Sequence, residues 1–170
     1  MTRFIYKTFL FFLVVSFSFL AFIIFRKKTY DWSYSECAAY NYPMKILRNN
    51  ISWGSGSTGT LRVTAGSKGW GHVGGGYVVG DRYKPVPDSL FVEWYSIPEH
   101  KFYTGRFKID SNKLKRDLEK LSFAFIYPCF APHGKITLFI SGRIKGIKFD
   151  IHSDAGRFKS EINRFQAKED

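Results

Sequence analysis

An uninterrupted apolar run near the N-terminus constrains this chain more than any other feature. Residues 9–25, FLFFLVVSFSFLAFIIF, contain no charged residue, proline or glycine, and Thr8 extends the run to 18 residues. A helix of that length spans roughly 27 Å, close to the hydrocarbon thickness of about 30 Å in a bilayer. No small-residue cleavage site closes the run, as one would in a signal peptide. We therefore expect residues 1–28 to be an uncleaved membrane anchor and residues 29–170 to be a separate domain.

The basic residues around the run do not decide which way the anchor crosses the membrane. Arg3 and Lys7 precede it and residues 26–28 follow it, so the positive-inside rule gives nearly a tie. Cys37 and Cys129, 92 residues apart, either pair as a disulfide in an oxidising compartment or remain buried free thiols. The formal net charge of +12 favours an anionic partner such as a membrane surface, a polyanion or an acidic protein patch.

The soluble part has the pattern of short strands with one helix. Residues 89–96 alternate most clearly, and because both of their faces carry aromatic side chains, we expect a central strand. Residues 110–121 predict a helix with Asp110 or Ser111 as its N-cap and leucines along one face. The other predicted strands are 44–48, 60–65, 77–80, 101–109, 123–127, 135–141 and 147–151.

The remaining segments carry weaker signals. Residues 81–87 hold two prolines and are predicted to form a loop, whereas the spacing of Phe158, Ile162 and Phe165 fits one face of a second helix. Taken together, the pattern predicts a mainly β (α+β) domain, an antiparallel sheet or sandwich with one short helix, preceded by an N-terminal transmembrane helix.

A glycine-rich stretch, GSKGWGHVGGG at residues 66–76, contains the spacing G-x-G-x-x-G. A dinucleotide site needs a helix that begins inside this motif, so that helical N–H groups meet the pyrophosphate. Here two more glycines, a β-branched pair and two prolines follow, and no helix can form. We therefore interpret the stretch as a turn between strands. Its Trp70 and His72 either pack in the core or belong to a protein-binding loop, and we expect no cofactor.

Residues with catalytic or metal-binding chemistry form no recognisable pattern. The four histidines are scattered without H-x-x-x-H spacing, and no G-x-S-x-G is present. We expect neither a metal nor catalysis, although an enzyme that uses Glu99, His100 or His133 remains an alternative. Basic and aromatic residues interleave over 99–108 as in single-strand binders. A chain with 19% aromatic residues produces such interleaving by chance, so we expect no nucleic-acid partner.

Two segments resemble a known family. Residues 85–109, PVPDSLFVEWYSIPEHKFYTGRFKI, and 131–142, APHGKITLFISG, are similar to stretches of the bacterial envelope lipoproteins catalogued as domain of unknown function 2931. The aromatic opening and the glycine-rich region also stand where that family has similar features, so the resemblance covers most of residues 30–152. Some members of the family resemble immunity proteins against phospholipase effectors of type VI secretion. In this chain a transmembrane anchor replaces the family's lipidated cysteine.

The resemblance implies a periplasmic binding protein without catalysis. We expect a single-pass protein of the bacterial inner membrane whose periplasmic domain binds and neutralises a cognate phospholipase (lipase) effector. Candidate partner-binding residues are Trp70, His72, Glu99, His100 and Lys101. The alternative is an envelope binding or structural protein that contacts anionic lipid or polysaccharide and has no toxin partner.

Overall fold

The computed structural model describes residues 11–18, 28–54, 57–58, 81–147 and 156–169. These residues form eleven strands and two helical segments. The strands are β1 (Thr29–Tyr34), β2 (Cys37–Ala38), β3 (Met44–Trp53), β4 (Ser57–Thr58), β5 (Tyr83–Pro85), β6 (Ser89–Ser96), β7 (Lys101–Lys108), β8 (Leu121–Ala131), β9 (Lys135–Ile144), β10 (Arg157–Gln166) and β11 (Lys168–Glu169). The helices are α1 (residues 11–18) and α2 (Ser111–Lys120).

The strands form two sheets that are rich in antiparallel pairs. Sheet 1 has the order β10-β9-β8-β1-β5, and β2 also pairs with β8; sheet 2 has the order β11-β7-β6-β3-β4. β1 and β2 run parallel to β8, and the other pairs between described strands are antiparallel. The expectation of a mainly β domain is therefore confirmed.

The main hydrophobic core lies between the inner faces of the two sheets. Trp32 of β1 meets Trp53 of β3 edge-to-face at 6.1 Å between ring centroids, and Trp94 of β6 lies 5.0 Å from Phe130 of β8. Each pair joins one sheet to the other. Large aromatic side chains bury much apolar area, so these contacts contribute strongly to holding the sheets face to face.

The central strand and its hairpin form as the sequence predicts. β6 covers Ser89–Ser96 and pairs with β7 over eight Cα partners, while β3 lies on its other side. Its burial alternates strictly, because every second residue enters the core.

Helix α2 closes one end of the sandwich by linking β7 of sheet 2 to β8 of sheet 1. The Asp110 side chain caps it by accepting a hydrogen bond of 2.9 Å from the Lys113 N–H. Leu114 and Leu118 are 0% and 1% exposed and enter the core, which confirms the predicted apolar face. We call this end the base: α2, the turn at residues 145–147 and the chain at residues 28–29.

Two segments differ from expectation because long-range pairing decides their structure. Residues 81–87 are not wholly a loop, since β5 pairs with β1 at the sheet edge, where proline is tolerated. The predicted helical face at Phe158, Ile162 and Phe165 is wrong: these residues lie in β10. A register shift between Glu161 and Asn163 marks a bulge there. Without a bulge, residues 158 and 162 would face one side of the strand and residue 165 the other. The extra residue turns Phe165 to the same side, so all three side chains pack against one core and their spacing resembles that of a helix face.

Several predictions concern residues that the structure does not describe. The predicted strands 60–65 and 77–80 lie outside the described residues, as does 147–151 except for Ile147, which lies in a bend. Within the predicted anchor, α1 exposes its apolar side chains, with Phe11 at 65% and Phe17 at 72%. No helix among the described residues combines the length and apolarity needed to cross a bilayer. The rest of the 9–25 run is not described.

Candidate functional site

Three connecting segments meet at the end of the sandwich opposite the base. They are residues 40–43 between β2 and β3, 97–101 at the β6–β7 turn with the first residue of β7, and 131–134 at the β8–β9 turn with the last residue of β8, and we call this end the tip. Backbone hydrogen bonds tie them to the sheets and to each other. The Ile97 N–H donates to the Pro43 carbonyl at 3.3 Å, and the Ala167 N–H donates to the Gly134 carbonyl at 2.9 Å.

The carboxylate of Glu99 joins all three segments of the tip. Its Oε2 accepts hydrogen bonds from the Tyr42 hydroxyl at 2.6 Å and the Ser96 hydroxyl at 2.9 Å. Its Oε1 accepts from the His133 backbone N–H at 2.9 Å and lies 3.2 Å from the His133 Nδ1. A carboxylate with this many donors makes charge-assisted hydrogen bonds, which are stronger than neutral ones. Glu99 therefore fixes the relative positions of the three segments.

The protonation of this cluster follows from its contacts. Burial raises the pKa of Glu99, but the hydrogen bonds from Tyr42, His133 and Ser96 outweigh it, so the pKa lies below its ordinary value. Burial, and then the hydrogen bond to Glu99, raise the pKa of Tyr42 far above its ordinary value. The pair is consequently a neutral phenol donating to an ionised carboxylate at neutral pH.

Backbone strain is concentrated at the same place. Among the described residues, the non-glycine positions with positive φ are Asn41 (55°), His100 (55°) and His133 (61°). Each belongs to a different segment of the tip. A left-handed conformation at such residues costs about 1–2 kcal/mol, and it persists where surrounding contacts enforce it. The network around Glu99 supplies those contacts, and this pattern is typical of functional sites.

The tip presents large apolar and aromatic groups to solvent. Tyr40 is 73% exposed, Phe102 47% and Ile97 40%. The Phe102 ring packs on Tyr95 at 4.8 Å between centroids, and the Tyr95 hydroxyl lies 3.2 Å from the His100 Nδ1. Tyr95 therefore holds both Phe102 and His100, so a partner would meet this part of the surface already ordered.

A disulfide lies behind this surface. Cys37 of β2 and Cys129 of β8 are register partners in sheet 1 and are bonded to each other, with their Cα atoms 4.2 Å apart. β2 leads into residues 40–43, and β8 leads into residues 131–134. Just beyond the disulfide, the pairing continues with a hydrogen bond of 2.8 Å from the Ala39 N–H to the Phe130 carbonyl. The disulfide therefore fixes the two strands from which residues 40–43 and 131–134 project.

The polar residues of the tip are not arranged as a nucleophilic triad. In a triad the imidazole stands between the hydroxyl and the acid, so that it can take the hydroxyl proton. Here Glu99 stands between Ser96 and His133, and the fully buried Ser96 hydroxyl donates to the carboxylate. The arrangement positions loops and leaves the exposed imidazole of His133 available for hydrogen bonds with a partner.

The predicted partner-binding residues fall into two groups. Glu99, His100 and Lys101 lie together at the β6–β7 turn, whereas Trp70 and His72 lie outside the described residues. Sequence reasoning did not find Tyr42 or Ser96. Ser96 carried a weak local signal, because a serine three residues before a turn acid can bond to it. Tyr42 carried none, since it reaches Glu99 across 57 residues.

Comparisons with known proteins bear on the chain as a whole. No curated protein matches it and no solved structure matches it. A family match covers residues 23–170, which includes both sheets, the base and the tip. On that match, the chain belongs to the family described as "Protein of unknown function (DUF2931)".

Proposed function

We propose that this chain is a membrane-anchored periplasmic immunity protein that binds and neutralises a phospholipase effector of type VI secretion. The observation that carries the proposal is the exposed aromatic surface of the tip, whose loops are held together by Glu99. Tyrosine and other aromatic side chains dominate the binding energy of protein interfaces, and a preformed surface avoids the entropy cost of ordering loops. The partner-binding surface is formed by Tyr40, Ile97, Phe102 and the imidazoles of His100 and His133.

The geometry also suits a tethered inhibitor. In this proposal residues 9–25 cross the inner membrane and the domain begins at Thr29, at the base. β8 runs from base to tip over 11 residues, so the tip stands roughly 33 Å from the base. The tip thus faces the periplasm, while the anchor concentrates the inhibitor at the membrane that the effector attacks. Binding at the tip blocks either the effector's active site or its access to lipid.

A survival assay tests this proposal. The chain is expressed in cells that export a periplasm-targeted phospholipase encoded beside its gene. The wild-type chain should preserve viability and form a complex with the enzyme. The double variant Tyr40→Ala/Phe102→Ala should lose both. The matched control is Tyr83→Ala, which removes an aromatic side chain that is 61% exposed on β5, away from the tip, and should protect like wild type.

Two results would contradict the proposal. Wild-type chain that forms no complex with the lipase and gives no survival would exclude the immunity role. Equal protection by the tip variant and the control would exclude the tip as the binding surface. Equal binding by the double variant His100→Ala/His133→Ala would also remove these two imidazoles from the interface.

A second candidate function rests on the outer face of sheet 2. There the Arg106 guanidinium lies 5.3 Å from the centroid of the Phe91 ring, and Lys45 stands opposite Tyr95 in the strand register. Cations beside aromatic rings suit an anionic polysaccharide or lipid headgroup. This envelope-binding role predicts salt-sensitive binding to purified polysaccharide, abolished by Arg106→Glu, with no lipase partner.

A further inference from the structure

The chain leaves little distance between the apolar run and the folded domain. The run ends at Phe25, and Lys28 is already fixed on the domain. The Lys28 Nζ lies 3.0 Å from the Glu119 Oε1, which also accepts a hydrogen bond of 3.1 Å from the Tyr30 hydroxyl. Three residues span at most about 10 Å even when extended. If residues 9–25 cross the membrane, as the proposed function holds, the base must lie against the bilayer surface.

The base carries a basic surface. Its cations are Lys28, Lys113, Lys115, Arg116, Lys120 and Lys145, and its acids are Asp117 and Glu119, with the N-cap Asp110 beside them. All three acids are engaged: Asp110 caps α2, Asp117 pairs with Lys120 at 2.8 Å, and Glu119 holds Lys28. The uncompensated charge of the base is therefore positive.

Two of these cations point into solvent. The Lys115 and Arg116 side chains are exposed and make no hydrogen bond or close ion pair with another described residue, although Lys115 lies near enough to Glu119 to help lower the pKa of that carboxyl. Nearby, Ile147 exposes 51% of its surface in the turn that packs beside the end of α2. Protein surfaces that bind lipid headgroups typically combine exposed cations with exposed apolar side chains, as this part of the base does.

We infer that the base docks on anionic phospholipid headgroups and holds the domain upright, with the tip directed away from the membrane. The cations project from the outer side of one helix and from an adjacent turn, so they form a broad surface. Such a surface fits the plane of a bilayer, which presents many phosphates at once. The short connection to the anchor keeps this surface within reach of the headgroups.

Lysine labelling of the full chain in vesicles tests the inference. One vesicle preparation contains phosphatidylcholine alone. The other also contains roughly 30% phosphatidylglycerol, which makes its surface strongly anionic. An amine-reactive ester is added, and modification at each lysine is followed by mass spectrometry. Lys115 should react about fivefold more slowly in the anionic vesicles, and high salt should remove the difference. Lys135 and Lys168, exposed near the tip, should react equally in both.

Paired variants sharpen the test. Lys115→Glu/Arg116→Glu should abolish the lipid-dependent protection of Lys113, whereas Lys135→Glu/Lys168→Glu, with the same change in net charge, should preserve protection of Lys115. Equal labelling of wild-type Lys115 in the two vesicle types would overturn the inference, and so would equal protection at base and tip. Slowing by soluble glycerol phosphate alone would also overturn it, because the site would then bind free phosphate.

Flotation separates this inference from the proposed function. A chain that floats with vesicles but shows no anionic-lipid protection contradicts docking of the base and leaves the anchor intact. A chain that does not float contradicts the anchor and the inference together. Failure of the survival assay with protection of Lys115 retained contradicts the immunity role alone.

Discussion

The substitution Glu99→Ala should destabilise the domain far more than an exposed carboxylate would. The side chain lies at the surface of the tip, yet it is only 15% exposed and accepts hydrogen bonds from Tyr42, Ser96 and His133. Removing it takes the acceptor from two buried hydroxyls, because Tyr42 is 3% exposed and Ser96 is 0% exposed. The His133 N–H belongs to an exposed residue, so water can replace the lost acceptor there.

The magnitude follows from those two hydroxyls. The Ser96 hydroxyl also lies within hydrogen-bond reach of the Tyr42 hydroxyl, so after the substitution one can donate to the other and one buried donor is left without a partner, at a cost of about 1–3 kcal/mol. An ordinary domain has about 5–15 kcal/mol of unfolding free energy in total. We therefore expect a loss of about 2 kcal/mol, measured as a decrease in the urea midpoint of residues 28–170 with an unchanged slope.

A double-mutant cycle gives the sharpest form of this prediction. In the wild-type background, Tyr42→Phe should cost about 1–2 kcal/mol, since it removes one charge-assisted hydrogen bond. In the Glu99→Ala background the same change should be neutral or stabilising, because it removes a stranded hydroxyl. An equal cost in both backgrounds would refute the argument that Glu99 holds Tyr42 in place.

The control is Glu161→Ala on β10. Its carboxylate pairs with Arg164 at 2.8 Å, but the two side chains are 38% and 78% exposed. Exposed ion pairs contribute little, so we expect a change below about 0.5 kcal/mol. A comparable loss in both variants would show that Glu99 contributes no more to stability than an exposed ion pair does.

Three further predictions concern the disulfide, a crowded glycine and acid stability. Replacing Cys37 and Cys129 together by alanine should cost about 4–5 kcal/mol in the chain-entropy account of a 92-residue separation, read from the urea midpoint. Gly142→Ala should lower the thermal midpoint more than Gly146→Ala. An added Cβ would clash with the Phe123 backbone carbonyl at position 142, whereas at position 146 it would meet nothing within 4 Å and only the φ of +74° opposes it. Because its hydrogen bonds outweigh burial and lower the pKa of Glu99, its stabilising contribution is complete above about pH 4.5 and disappears as the pH falls through the folded value. Glu99→Gln should accordingly weaken the pH dependence of unfolding in that acid range.

The elements that the sequence predicted well are those whose signals are local. The β6–β7 hairpin follows from alternation on both sides of a four-residue turn, and α2 follows from a cap and a leucine stripe. β1 was not predicted, although Tyr30, Trp32 and Tyr34 alternate toward the core. Its pairing partner, β8, lies about ninety residues further along the chain, and no local pattern identifies it.

The candidate site shows the same division. The sequence brought Glu99, His100 and Lys101 to attention because adjacent polar residues in a turn are visible by inspection. It could not show that Tyr42 and His133 converge on Glu99, since those contacts depend on how two other connections approach the turn. Residues that are joined only by long-range hydrogen bonds do not form a motif of fixed spacing in the sequence, so sequence inspection cannot detect the cluster.

The parallel pairing of β1 with β8 sets an order on folding. Trp32 lies beside Ala124 and Cys37 beside Cys129, so the first strand to leave the ribosome has its partner near the end of the domain. Contacts of such sequence separation raise the contact order and slow the folding of β proteins. During synthesis β1 can pair with β5 as soon as residue 85 has emerged, but the edge formed by Trp32–Tyr34 has no strand to pair with until Ile126 has followed. That interval is when aggregation competes with folding.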